Sequence, residues 1–265
     1  MATLSAYIEG IGLLGPGLAD WPSSQDMLRG QQPYQAQKIV LPPPQLLPAA
    51  ERRRCGAIVK LALATSLEAI AAARLDAASL PSVFSSSHGD GHNCHAICEM
   101  LASADRQISP TRFHNSVHNA ASGYWSIATG AMAPSAVLGA FDASFGAGLL
   151  EALAQVVVDG SRCVLIASDT DYPEPVYSVR PLADVLGIAL VFAPQPSPQS
   201  VARIDVAITH AAADRFDDAA LEALRQSLPA ARGLPLLRQL AQRQPGRVVL
   251  DYLDDTRLAV EVSPC

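Results

Sequence analysis

Between positions 88 and 98 the chain gathers five side chains able to hold a metal ion: His88, His92, Cys94, His95 and Cys98. Thiols four residues apart would share one helical face, with His95 one residue off it. That is not the spacing of a structural zinc site, and no second ligand pair stands elsewhere in the sequence. The simpler reading is a Gly-rich turn, His88-Gly89-Asp90-Gly91, leading into a helix capped by Asp90 or Asn93. No metal is expected. His114 and His118 are also four apart and would lie on one helix, where they could chelate a metal or face a pocket. No carboxylate stands in register with them, so interface or capping roles are expected. The one compact basic run, Arg52-Arg53-Arg54, could attract an acidic partner. It could equally be the solvated start of a helix whose dipole it opposes.

The elements that must position these groups follow from the hydrophobic pattern. Residues 6–14 alternate as a strand and stop at Gly15-Pro16-Gly17. Residues 21–48 are rich in Pro, Gln and Ser, which predicts an extended surface loop. Ala57, Leu61, Ala64 and Ile70 mark a helical spacing over about 49–74. A short buried strand is expected over 79–87. Helices are expected over 90–102 and 114–129, the second closed by Gly130. The apolar run 135–141 reads as a strand that enters a helix over 143–158, followed by a strand over 162–167. Strands over 186–192 and 201–208 and helices over 217–228 and 234–243 come next. Residues 248–252 and 257–262 form a hairpin around Asp254-Asp255. Strands and helices alternate through the first two-thirds, which implies a layered α/β domain with helices covering a mixed sheet. The stretch 194–199 separates this body, about 6–192, from an expected less regular extension over 193–265.

Composition narrows the function classes. The chain has 265 residues, 49% hydrophobic and 17% charged, the balance of a globular protein with a sizeable core. A net charge of -6 argues against nucleic-acid binding, which needs clustered Lys and Arg. No basic start with a long apolar run opens the chain, and no apolar stretch reaches the roughly 18 residues of a membrane helix. The 5 cysteines are an odd number and read as reduced thiols in a cytoplasm, with Cys55 and Cys163 in apolar core surroundings.

The segment from Ile108 to Ser168 resembles the region of β-ketoacyl-acyl-carrier-protein synthases that leads into and past the catalytic cysteine. Ser109-Pro110, Asn119, Gly123 and Pro134 fall in step with the family's Ile-Ser-Pro, Asn-x-x-x-Gly and Gly-Pro. Arg53 to Leu75 is similar to the family's first long helix. Asp184 to Val191 resembles the Gly-rich strand that closes the family's N-terminal half, with Gly187 where packing is close. The resemblance covers about 6–192 and implies a thiolase-like layered α/β/α domain, the N-terminal half of a ketosynthase. Two departures matter. The cysteine position holds Asp142, and the region after Val201 does not match the second half that supplies the catalytic histidines and lysine.

Condensation needs a thiolate, enolate-stabilising donors and an oxyanion hole. An acyl-aspartate would be a reactive mixed anhydride, so Asp142 is expected to be a helix N-cap and no catalytic residue is assigned. The resemblance then implies a chain-length-factor-like subunit that pairs with an active ketosynthase, in type II polyketide biosynthesis of the aryl polyene type or a fatty-acid-like pathway. His88 and Phe113 would help wall the partner's pocket. His114, His118, Val137, Leu138 and Phe141 would lie at the dimer interface, and Arg52, Arg53 and Arg54 would meet an acyl carrier protein. No cofactor is implied. Two other readings stand beside this one: an acyltransferase or hydrolase using Asp142 with a histidine, and a self-associating scaffold that binds acyl groups or carrier protein.

Overall fold

The computed structural model describes residues 3–265. Eight strands form one mixed sheet, flanked by helices on both faces. In chain order the elements are β1 (Leu4–Leu14), α1 (Trp21–Leu28), α2 (Ala49–Arg54), α3 (Ala57–Ala73), β2 (Ser82–Ser85), α4 (Gly91–Ala102), α5 (Pro110–His114), α6 (Ala120–Thr129) and β3 (Ser135–Leu138). Then follow α7 (Ser144–Asp159), β4 (Cys163–Asp169), α8 (Val176–Val179), β5 (Leu186–Ala193), β6 (Ala202–Thr209), α9 (Ala219–Ser227), α10 (Leu234–Gln242), β7 (Gly246–Asp251) and β8 (Arg257–Pro264).

The sheet order is β3-β2-β4-β5-β1-β6-β8-β7. β2 pairs in parallel with both β3 and β4, and the other neighbours are antiparallel. Strand alternation divides the core in two. Leu165, Ile188, Leu190 and Phe192 face a layer built by α7, α9 and α10. Val164, Ile166, Ala189 and Val191 face α3 and α6. Helix α3 lies close on the sheet because β1 offers glycine beneath it. A Cβ on Gly10 would stand 1.9 Å from the Ala69 carbonyl oxygen, and one on Gly12 2.0 Å from that of Thr65. At Gly187 the close neighbours are side chains, Leu61 and Thr65, both 3.0 Å away.

Several expected elements differ. Residues 21–48 are not all loop: Asp20 accepts from Ser23 N and starts α1, with Pro22 in the first turn. The helix expected over 49–74 breaks at Cys55-Gly56 into α2 and α3, since both residues take extended backbone. The helix expected over 114–129 is shorter: α5 ends at His114, a turn follows, and α6 begins at Ala120. Asn115 is buried between them, its amide donating to Arg54 O and its oxygen accepting from Tyr124 Oη, so His114 and His118 do not share a helix. The segment 193–265 is as regular as the rest, for β6, β7 and β8 extend the same sheet. The β7–β8 hairpin forms as expected, with Asp254 in a left-handed turn.

Residues 141–159 are long and apolar enough to cross a membrane by composition. Their Phe145, Leu149, Leu153 and Val156 are fully buried against the sheet, as in the core helix of a globular domain.

Candidate site at the β3–α7 turn

Strand β3 ends at Leu138, and the chain reaches α7 through one tight turn. Phe141 takes φ +52, a left-handed conformation costing a non-glycine residue about 1–2 kcal/mol. The turn is closed by Ser144, whose hydroxyl accepts from Ala140 N at 3.0 Å and donates to Phe141 O at 2.7 Å. Asp142 is therefore not the helix cap expected of it. Its carboxylate points outward, half exposed, and accepts from Arg180 Nη2 at 2.7 Å. A guanidinium offers a charged donor where the turn's amides offer only dipoles. The same guanidinium lies over the Phe141 ring, 3.5 Å from its centre.

A second arginine reaches the turn from the C-terminal segment. Arg232 stands 3.8 Å from Asp142 and 3.3 Å from Asp251. Asp251 also meets Arg257 at 3.4 Å and the buried Arg225. Arg225 grips Glu222 at 2.6 Å and pulls its carboxyl down to about 2. Among the described residues no histidine is a polar partner of Asp142. A carboxylate whose oxygens face two arginines is not free to attack an acyl group.

The Gly-rich turn after β2 makes the second half of the site. Asp169, fully buried at the end of β4, accepts from Ser87 N at 2.8 Å, Ser87 Oγ at 2.7 Å and Ala230 N at 2.8 Å. Burial outweighs these bonds and pushes its carboxyl up to about 6. His88 Nδ1 lies 2.9 Å from the same Ser87 hydroxyl, and its ring rests on Tyr172 at 4.1 Å. Since Ser87 donates to ionised Asp169, His88 Nδ1 carries the proton that it donates to Ser87. Burial first, then Arg180, lowers His88 to about 4, and its Nε2 is buried with no hydrogen-bond partner among the described residues. His88 is only 9% exposed, so it packs into its own chain.

The remaining metal candidates scatter. His92 pairs with Asp171 at 2.9 Å, His95 with Glu99 at 3.3 Å, and Cys94 and Cys98 are exposed. Among the described residues no three such side chains converge on a metal position. His118 Nε2 lies 3.1 Å from Ser86 O, and His114 meets Tyr124 edge-on. Asp90 caps α4 by accepting from Asn93 N. Phe113 and Phe141 are mostly exposed, while Val137 and Leu138 are half-buried on β3, which pairs only with β2. Arg52 reaches Gln45 and Arg54 reaches Glu51; Arg53 and Arg54 line a cavity of about 480 Å³ with Arg112. Arg180, Arg232 and Asp169 carry no local signature, because none lies in a motif and each reaches the site only through the fold.

Residues 21–248 match the family model described as β-ketoacyl synthase, N-terminal domain. Among solved structures, the chain is similar to a ketosynthase (ApeO) in complex with its chain length factor (ApeC) from Xenorhabdus doucetiae. The identity there is 19% and the TM-score 0.73, over 97% of this chain and 99% of that one. It is similar to a chain of the type II polyketide assembly AntDE:AntF, an acyl-carrier protein in complex with its ketosynthase. That match has 10% identity and a TM-score of 0.75 over 100% of both chains. It also resembles the ishigamide ketosynthase/chain length factor, with 13% identity and a TM-score of 0.72 over 98% of this chain and 99% of that one. Sequence comparison with curated proteins gives no match. The fold is the thiolase-like layered α/β arrangement of these neighbours. With the family model spanning residues 21–248, the chain belongs to the β-ketoacyl synthase N-terminal domain family.

Proposed function

We propose that the chain is a non-catalytic, chain-length-factor-like subunit that pairs with an active ketosynthase in cytoplasmic type II polyketide biosynthesis of the aryl polyene type, or in a fatty-acid-like pathway. One observation carries this reading. The turn where the family keeps its thiol holds Asp142 paired to Arg180, directly after a β3 strand whose outer edge is open. A chain unable to hold an acyl group there, yet offering an unpaired apolar strand beside it, is suited to complete another chain's site. Exposed Phe113, Val117, Ile127 and Met132 precede β3 in sequence, and Val117 lines a small cavity with Val137. Exposed apolar side chains of this size suit a protein contact.

The solved neighbours described as ketosynthases with chain length factors support the heterodimer over a homodimer. In this arrangement Val137, Leu138, Phe141, His114 and His118 face the partner, and Phe113 and the His88 turn wall its pocket. Arg52, Arg53 and Arg54 receive the acidic acyl carrier protein, with Arg112 beside them. The hydrolase reading gains nothing from the site, since Asp142 contacts arginines and no histidine.

Reconstitution tests the proposal. The cognate ketosynthase, carrier protein and malonyl thioester should elongate only when this chain is present, and this chain alone should release and elongate nothing. Elongation of equal rate and product length without it would overturn the proposal.

A further inference from the structure

The two ends of the sheet are finished differently. At one end β3 bonds only to β2, and among the described residues nothing else takes the backbone groups of its outer side. At the other end β8 is the only strand neighbour of β7. An unpaired edge of this kind is a template for a strand of another chain. The β7 edge, however, is occupied by the protein itself.

After β6 the chain runs past β8 and lies along the outside of β7 as a strap over residues 210–218. Val249, in the middle of β7, turns its backbone groups outward, and Asp214 meets both. Asp214 N donates to Val249 O at 2.8 Å, and the Asp214 carboxylate accepts from Val249 N at 2.7 Å. One residue thereby takes the place of an added strand. Outward groups recur at every second residue of an antiparallel edge, so the next ones belong to Arg247 and Asp251. With the middle position taken, no two successive outward positions are left, and an incoming strand has no continuous ladder to join.

The strap is fastened on both sides of Asp214. Before it, His210 Nδ1 lies 3.2 Å from Asp255 O in the β7–β8 turn. After it, Phe216 is buried in the core with Leu221 and Leu224, and its N–H donates to Glu222 at 3.1 Å. Arg238 lies over the Phe216 ring at 4.7 Å and donates to Arg215 O at 2.9 Å.

We propose that this strap seals β7, and that Asp214 makes the chain the end of any sheet it joins. A strand can be added at β3 and not at β7, so an assembly built through the sheet closes at two chains. With both edges open, β7 of one copy would meet β3 of the next, a head-to-tail contact that does not close and runs on into a fibre. That β3 takes a ketosynthase rests on the function proposed above. The seal on β7 does not, and its test uses this chain alone.

Sedimentation velocity of the isolated full chain over rising concentration tests it. Wild type should show nothing larger than a dimer. Asp214→Ala should form larger species that grow with concentration. Asp214→Asn, which keeps an acceptor oxygen and the backbone N–H, should sediment as wild type. Adding Val137→Lys to Asp214→Ala should halt growth at the dimer, since one open edge then remains. If Asp214→Ala fails to fold, hydrogen exchange in wild type decides: the Val249 amide should exchange about tenfold more slowly than those of Arg247 and Asp251. The proposal is overturned if wild type grows beyond a dimer, if Asp214→Ala sediments as wild type, if growth persists in the double variant, or if Val249 exchanges as fast as its outward neighbours.

Discussion

Arg180 holds Asp142 by a 2.7 Å hydrogen bond and covers the Phe141 ring before it with the same guanidinium. The turn that in a ketosynthase would present a thiol is thus capped from outside by an arginine. Two features follow. The carboxylate is occupied by a guanidinium, and the strained Phe141 backbone is braced by a ring contact. The pair is half exposed at Asp142, so its worth to stability is small, about 1 kcal/mol or less. Its weight lies in what it denies to chemistry.

Asp142→Cys should fold and should not condense. A thiol restored there brings no enolate-stabilising donor with it, and it leaves Arg180 without its partner. Assay of the variant alone with malonyl- and acyl-carrier protein should give no elongated product, whereas turnover above the wild-type background would show that the machinery is present.

His88 and Asp169 lie 3.7 Å apart and shift in opposite senses. Asp169 rises from 3.8 to about 6, so it binds more proton folded than unfolded. Its contribution is present below 3.8 and is lost as pH rises through 6. His88 falls from 6.5 to about 4, so its contribution is present above 6.5 and is lost as pH falls through 4. Each is worth on the order of 3 kcal/mol across its window, and the two oppose each other. Urea unfolding between pH 4 and 6.5 should therefore show, relative to wild type, stability that climbs with pH in Asp169→Asn and falls with pH in His88→Phe. Parallel pH profiles for all three proteins would contradict the assignment.

Gly10→Ala and Gly12→Ala should each cost about 3 kcal/mol or more, because the new methyl meets helix backbone at 1.9 and 2.0 Å. Gly187→Ala, which meets only Leu61 and Thr65 side chains at 3.0 Å, should cost less. Denaturant midpoints of the three variants check the order, and equal midpoints would mean that α3 does not lie on β1 as described.

The fold was legible where apolar spacing is regular. β1, β4, β5 and α7 fell near their expected bounds because their side chains alternate or recur every three to four residues over long runs. The 114–129 helix did not, since its break depends on buried Asn115 reaching Arg54 O across 61 positions. The third from 193 onward looked irregular because short strands such as β7 carry little pattern of their own until β8 pairs with them. The site divided in the same way. Asp142 was found through its place in a family motif, but its partner Arg180 lies 38 positions on, in a stretch with no signature. Long-range ion pairs leave no spacing to read.

On the proposed function, this chain works by joining its open β3 edge to a ketosynthase. Val137→Lys puts a charge in that contact, at a cost on the order of several kcal/mol if it is desolvated without a partner. The most direct measurement is pull-down of the co-expressed cognate ketosynthase by wild type and by Val137→Lys, with folding checked by circular dichroism. Wild type should form a stable heterodimer and the folded variant none. Equal binding of the ketosynthase by Val137→Lys, or a wild-type chain with no affinity for it, would rule out pairing through β3.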